Sequence, residues 1–141
     1  MKGVIFAFLG GACITIQGVA NARISEDIGT WQAATITQLT GFILALSILL
    51  IVKDGHIRDV KKVHPLYVIG GAFAAIIIFN EVTAIQTIGV TLTIAALLIA
   101  QLVFTFVIDA KGWFGVKKKK MKWPHYLGIA LMILGVVILK F

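Results

Sequence analysis

The sequence predicts an all-α protein that crosses a membrane five times. Three observations carry that expectation. Of 141 residues, 60% are apolar and only 13% are charged. The mean hydropathy is +1.01. The charged residues collect in short gaps between five apolar stretches, most of them close to the ~20 residues a helix needs to cross the hydrocarbon core. A soluble domain of this length needs a charged surface, which this composition does not supply. The alternating segments of about ten residues that mark a membrane β-barrel are absent from the sequence.

The first span runs from Gly3 to Ala22. Lys2, an apolar run and then Ala20-Asn21-Ala22 have the general form of a signal peptide. Gln17 interrupts the run and four further spans follow, so the segment reads as a retained helix. Cleavage is the alternative, and it would leave four helices. The second span covers Trp31 to Val52, the third Leu66 to Gln86 and the fourth Val90 to Ala110. The last and shortest runs from Pro124 to Leu139. Pro124 opens it at the first position, where a missing N–H leaves no helical bond unmade. Trp31, Tyr67, Trp113, Trp123 and Tyr126 fall near segment ends, as an aromatic belt requires.

The connections set the topology. Residues 23–30 carry Arg23, Glu26 and Asp27, and residues 53–65 carry Lys53, Arg58, Lys61 and Lys62. Ile88-Gly89 carries no charge and predicts a tight hairpin between the third and fourth spans. Residues 111–123 carry Lys111, Lys117 to Lys120, and Lys122. With the N-terminus in the cytoplasm, eleven Lys and Arg residues lie on that side, while Arg23 and Lys140 lie on the other. This bias predicts a cytoplasmic N-terminus and, after five crossings, an external C-terminus. The net charge of +7 therefore reads as a topology signal, and nucleic acid is not an expected partner. The lysine run reads as an anchor, with specific binding of anionic lipid as the alternative.

Polar residues inside the spans are the candidates for function, because they are costly in hydrocarbon and turn toward a bundle interior or a wet cavity. Gln17 and Asn21 sit one turn apart in the first span, on the face of Gly10 and Cys13. Gln38 lies with Gly41 and Ala45 in the second span, and Asn80, Glu81 and Gln86 end the third. Gln101, Thr105 and Asp109 form one stripe at four-residue spacing. Glu81 is the sharpest of these. No ionisable group other than Tyr67 precedes it from Leu66 to Phe79, and Gly70, Ala74, Ile77 and Ala84 share its expected face. It can exchange protons or pair with a cationic solute, or it can snorkel to the nearby outer interface. Asp109 beside Lys111 reads as an interfacial ion pair or as a transport residue. Gln17, Asn21 and Gln101 read equally as inter-helix hydrogen-bond partners or as solute ligands.

Gly128 and Gly135 share a face with Met132 in the last span and predict a close-packing, dimer-forming surface. The pairs Gly10-Gly11 and Gly70-Gly71 predict close crossings within the bundle. His56, His64 and His125 lie in or beside the basic loops as interfacial residues, and a lone cysteine cannot form an internal disulfide. No metal site and no cofactor are expected. The sequence holds no HExxH, P-loop, GxSxG or paired-carboxylate pattern, so an enzyme is not expected either.

Several stretches together resemble the small five-helix YdcZ-type family of the drug/metabolite transporter superfamily. They are GGACITIQGVANARISEDIGTWQAATIT, GGAFAAIII, TIGVTLTIAALLIAQLVFTFVIDAKGWFG and HYLGIALMILGVVIL. The last is also similar to the dimer-forming terminal helix of small multidrug resistance proteins. The resemblance implies an inner-membrane exporter and marks Gln17, Asn21, Gln101 and Asp109 as motif positions. Ala100 stands where the family usually has Gly before the Gln, and Asn80-Glu81 departs from its usual third helix, so the resemblance assigns Glu81 no role.

A five-helix unit is suited to being half of an inverted-repeat transporter, since two tandem copies would insert with opposite orientation. The charge bias predicts one orientation for this chain. The expected partner is therefore an oppositely oriented homologous subunit, in an antiparallel heterodimer, with a homodimer as the alternative. The expected function is movement of a small organic solute by alternating access. A small ion channel of the dual-topology type and a non-transporting accessory protein are the competing readings.

Overall fold

The structure is a computed structural model, and it describes residues 2–52, 63–119 and 122–140. The cations expected to anchor the second loop (Lys53, Arg58, Lys61 and Lys62), together with His56 and Lys120, lie outside the described residues. The described chain is helical, and five helices are long and apolar enough to cross a membrane.

Helix α1 spans Lys2–Ile28 and α2 spans Thr30–Val52. The loop expected over 23–30 is therefore reduced to Gly29. Arg23 lies at the start of the extra turns of α1. Its guanidinium bonds Glu26 at 2.5 Å and lies 3.6 Å from Asp27, the spacings at which helix neighbours meet. Gly29 then turns the chain at φ 93, a conformation that costs a side-chain-bearing residue but not glycine. Its N–H donates to Ser25 O at 2.9 Å, and its own carbonyl accepts from Ala33 N–H at 3.0 Å. One residue thus closes one helix and opens the next.

The third span is not a single α-helix. Short α3 (Pro65–Val68) leads into a 3₁₀ turn over Ile69–Ala72, and α4 follows over Phe73–Ile88. Gly70 and Gly71 occupy the turn, where their low helix propensity permits the tighter winding. Helix α5 covers Val90–Lys111 and α6 covers Trp123–Lys140. Left-handed Gly112 caps α5 by donating to Ile108 O at 2.8 Å. The Lys119 N–H bonds Asp109 O at 3.0 Å, which ties the lysine run to the end of α5.

The helices group into two compact units, Met1–Thr87 and Ile88–Phe141. In the first, α1 packs on α2. Its buried residues are Gly18, Asn21, Ala22 and Ser25 on α1, Ala33 and Ala34 on α2, and Ile78, Glu81, Val82 and Ile85 on α4. All but Ile78 belong to the helix halves toward Gly29 and Ile88. Residues 2–14 and 39–52 are exposed throughout. The close crossings expected at Gly10-Gly11 and Gly70-Gly71 are not formed, since a Cβ built at any of the four meets nothing within 4 Å. The buried face of α4 is also rotated from the expected one, with Ile78, Val82 and Ile85 in place of Ile77 and Ala84. The 3₁₀ turn accounts for part of this, because it breaks the 3.6-residue register that would align Gly70 with Glu81. In the second unit α5 packs on α6, and the His125 ring meets the Phe106 ring edge-on at 5.5 Å.

Candidate functional site

The site grows from the Gly29 turn. Folding α1 back on α2 about this residue pairs positions equally far from it. Asn21 and Thr37 lie eight residues before and after Gly29, and the Thr37 hydroxyl donates to Asn21 Oδ1. Helix α4 joins the pair from the side. It runs parallel to α1, because Glu81 lies against Gly18 and, further toward the C-terminal end of both helices, Gln86 bonds Ser25.

Three hydrogen-bonding side chains form a layer at the end of this unit. Gln86 Nε2 donates to Ser25 Oγ at 2.8 Å and approaches Ala22 O at 3.4 Å. Ser25 Oγ lies 3.3 Å from Thr30 Oγ1. These contacts join α1, α2 and α4. Trp31 adds a second tie between α2 and α4, its ring stacked on Phe79 with centroids 4.7 Å apart.

Further along α1 from this layer sit two buried polar residues, each with an atom that has no partner among the described residues. Glu81 is 6% exposed and Asn21 is 2% exposed. Among the described residues neither Glu81 Oε1 nor Asn21 Nδ2 has a hydrogen-bond partner. A buried polar atom left unsatisfied costs about 1–3 kcal/mol, so two of them, one against Gly18 and one three residues further along α1, require an explanation beyond stability. Glycine at position 18 makes the arrangement possible. A Cβ there would come within 2.9 Å of Glu81 Cδ and closer still to Oε1.

Among the described residues of this unit no cation forms an ion pair with Glu81. Arg23 is engaged with Glu26 and Asp27 on the exposed side of α1. Among the described residues no three His, Cys, Asp or Glu come together as metal ligands. A shallow open groove lined by Ile28, Trp31, Gln32, Thr35 and Ile36 runs beside the start of α2, and it contains none of the candidate residues.

Of the residues singled out by sequence, the fold thus buries Asn21 and Glu81. Gln38 is half-buried on α2, whereas Gln17 is exposed although it shares a turn with Asn21. Asn80 is exposed, and its Nδ2 donates to Ile76 O of its own helix at 2.9 Å. In the second unit Gln101 is exposed and Asp109 half-buried. Lys111 does not pair with Asp109. Its ammonium lies 4.7 Å over the Trp113 ring. On α6, Gly128 is exposed while Met132 and Gly135 are half-buried, with open space beside both glycines. Sequence reasoning missed Gly18, Ser25, Thr30 and Thr37. Gly18 and Ser25 were within its reach, lying three residues before and four after Asn21 on one helical face.

Apolar helices that enclose a carboxyl and an amide define a multi-pass membrane protein with an intramembrane polar site. Its family is equally plain. Residues 3–138 match the family described as "Putative inner membrane exporter, YdcZ", and the chain belongs to that family. No curated protein and no solved structure matches the chain.

Proposed function

We propose that the chain is one subunit of an exporter that carries a small organic solute across the inner membrane by alternating access. The observation that carries this reading is the buried residues Asn21 and Glu81, each with a polar atom that no described residue satisfies, within helices apolar enough to cross a membrane. Family membership supports export as the activity and a transporter rather than an enzyme. Alternating access is supported by the uneven packing of the first unit. The Ser25–Thr30–Gln86 layer closes one end, while residues 2–14 and 39–52 stand exposed.

The working unit in this reading is an antiparallel dimer, the partner being an oppositely oriented homologue. The bias of Lys and Arg to one side supports a single orientation for this chain, with a cytoplasmic N-terminus and an external C-terminus. Glu81 is the candidate for coupling to protons. Export measured in membrane vesicles holding the chain and its co-expressed partner tests the reading. Glu81→Gln abolishes pH-dependent flux while the protein still folds. Wild-type coupled flux in that variant would remove Glu81 from the mechanism.

A further inference from the structure

We infer that Asn21 and Glu81 together recognise a small organic amine that also carries an oxygen acceptor, such as an amino alcohol or an amino amide. The inference rests on the exporter reading and names its substrate class.

The argument is one of complementarity. Among the described residues, Glu81 Oε1 is an acceptor without a donor, and Asn21 Nδ2 is a donor without an acceptor. Both residues are more than nine-tenths buried. A molecule that satisfies both atoms must bring a donor and an acceptor together. The donor is best charged, because charge-assisted hydrogen bonds to a carboxylate are the strong ones, and Arg23 is bound elsewhere. An ammonium group meets that need.

The alternatives fit less well. A bare alkali ion would satisfy Glu81 but would meet the N–H side of the Asn21 amide, because Asn21 Oδ1 is already engaged by the Thr37 hydroxyl. A divalent metal would find no set of three ligating side chains among the described residues. A carboxylate solute would face Glu81 as a like charge. The close approach of Gly18 to Glu81 restricts the solute to a small one. Entry is from the side away from the Ser25–Thr30–Gln86 layer, between helix halves where Gly10, Gly11 and Gly41 meet no neighbour within 4 Å.

The test is calorimetric titration of the purified full-length protein with its co-purifying partner retained. Glycinamide and 2-aminoethanol carry both groups, propylamine carries the amine alone, propionamide the acceptor alone, and sodium chloride serves as the alkali probe. Glycinamide and 2-aminoethanol are expected to bind at least ten-fold more tightly than propylamine, and propionamide not at all. Glu81→Gln is expected to abolish amine binding, and Asn21→Leu to erase the preference for glycinamide over propylamine. Should Glu81→Gln fail to fold, Gly18→Ala keeps the carboxylate but displaces it, and a ten-fold loss is expected there. Equal binding of glycinamide to the wild type and Glu81→Gln would overturn the inference, as would sodium competing for the site or the absence of any amine binding. Flux in the same vesicles separates the two proposals. Amine binding without export removes the exporter reading and leaves the site. Export without amine binding removes the site alone.

Discussion

The carboxyl of Glu81 rests on the backbone of Gly18 with no room between them for a methyl group. The atoms in the way belong to the flexible end of a side chain and not to backbone. A methyl at position 18 therefore moves the carboxyl more readily than it moves the helices. Gly18→Ala is expected to leave stability within about 1 kcal/mol of wild type, since removing a helical glycine offsets part of any strain. Export is expected to fall at least ten-fold. Thermal unfolding in detergent, read beside vesicle flux, checks both halves. Unchanged export would show that the position of the carboxyl does not matter.

The Gln86–Ser25 bond joins α4 to α1 across 61 residues of sequence. Hydrogen bonds between membrane helices are worth about 0.6 kcal/mol on average and rarely above ~1.7. Gln86→Leu is expected to lower stability within that range and to loosen the closed end. In a Cys13→Ser background, a cysteine placed by Ala22→Cys is expected to react faster with a maleimide applied from outside once Gln86→Leu is added. Equal labelling rates with and without Gln86→Leu would mean that the layer does not control access.

Gly29 separates α1 from α2 as a single residue at φ 93. Forcing a side-chain-bearing residue into left-handed backbone costs roughly 1–2 kcal/mol, and here the added Cβ would also lie 2.8 Å from Gln32 Oε1. Gly29→Ala is expected to destabilise the protein by at least that amount, seen as a lower unfolding temperature. It also shifts the Asn21–Thr37 pairing, because both residues are positioned from this turn.

Orientation is open to a direct measurement. Tags at both termini, probed for accessibility in intact cells expressing the chain alone, are expected to report one population with the C-terminus outside. Equal populations of both orientations would sink the heterodimer and favour a dual-topology homodimer.

How far the site could be read from the sequence is clear from pairs of residues. Glu81 and Asn21 stand out in an apolar background, because hydrocarbon makes any polar residue conspicuous. Gln17 and Asn80 stand out equally, yet both are exposed in this chain. Composition shows that a span contains an amide. It does not show which side of the helix faces a neighbour. Thr37 was hidden for a different reason. Its partnership with Asn21 depends on the helices meeting at Gly29, and an eight-residue loop over 23–30 would have offset the register of the hairpin.

The sequence by itself determined that the chain spans a membrane five times and which residues are anomalous there. Those properties follow from the transfer free energy of side chains, which adds along the chain without regard to neighbours. Tertiary structure alone decided that Gly18 lies against Glu81, that Thr37 satisfies one side of Asn21, and that Gln86 and Ser25 close the end of the unit. Each is a contact between helices. Its existence depends on the rotation and turn geometry that place two remote backbones within a few ångströms, and no local preference encodes that placement.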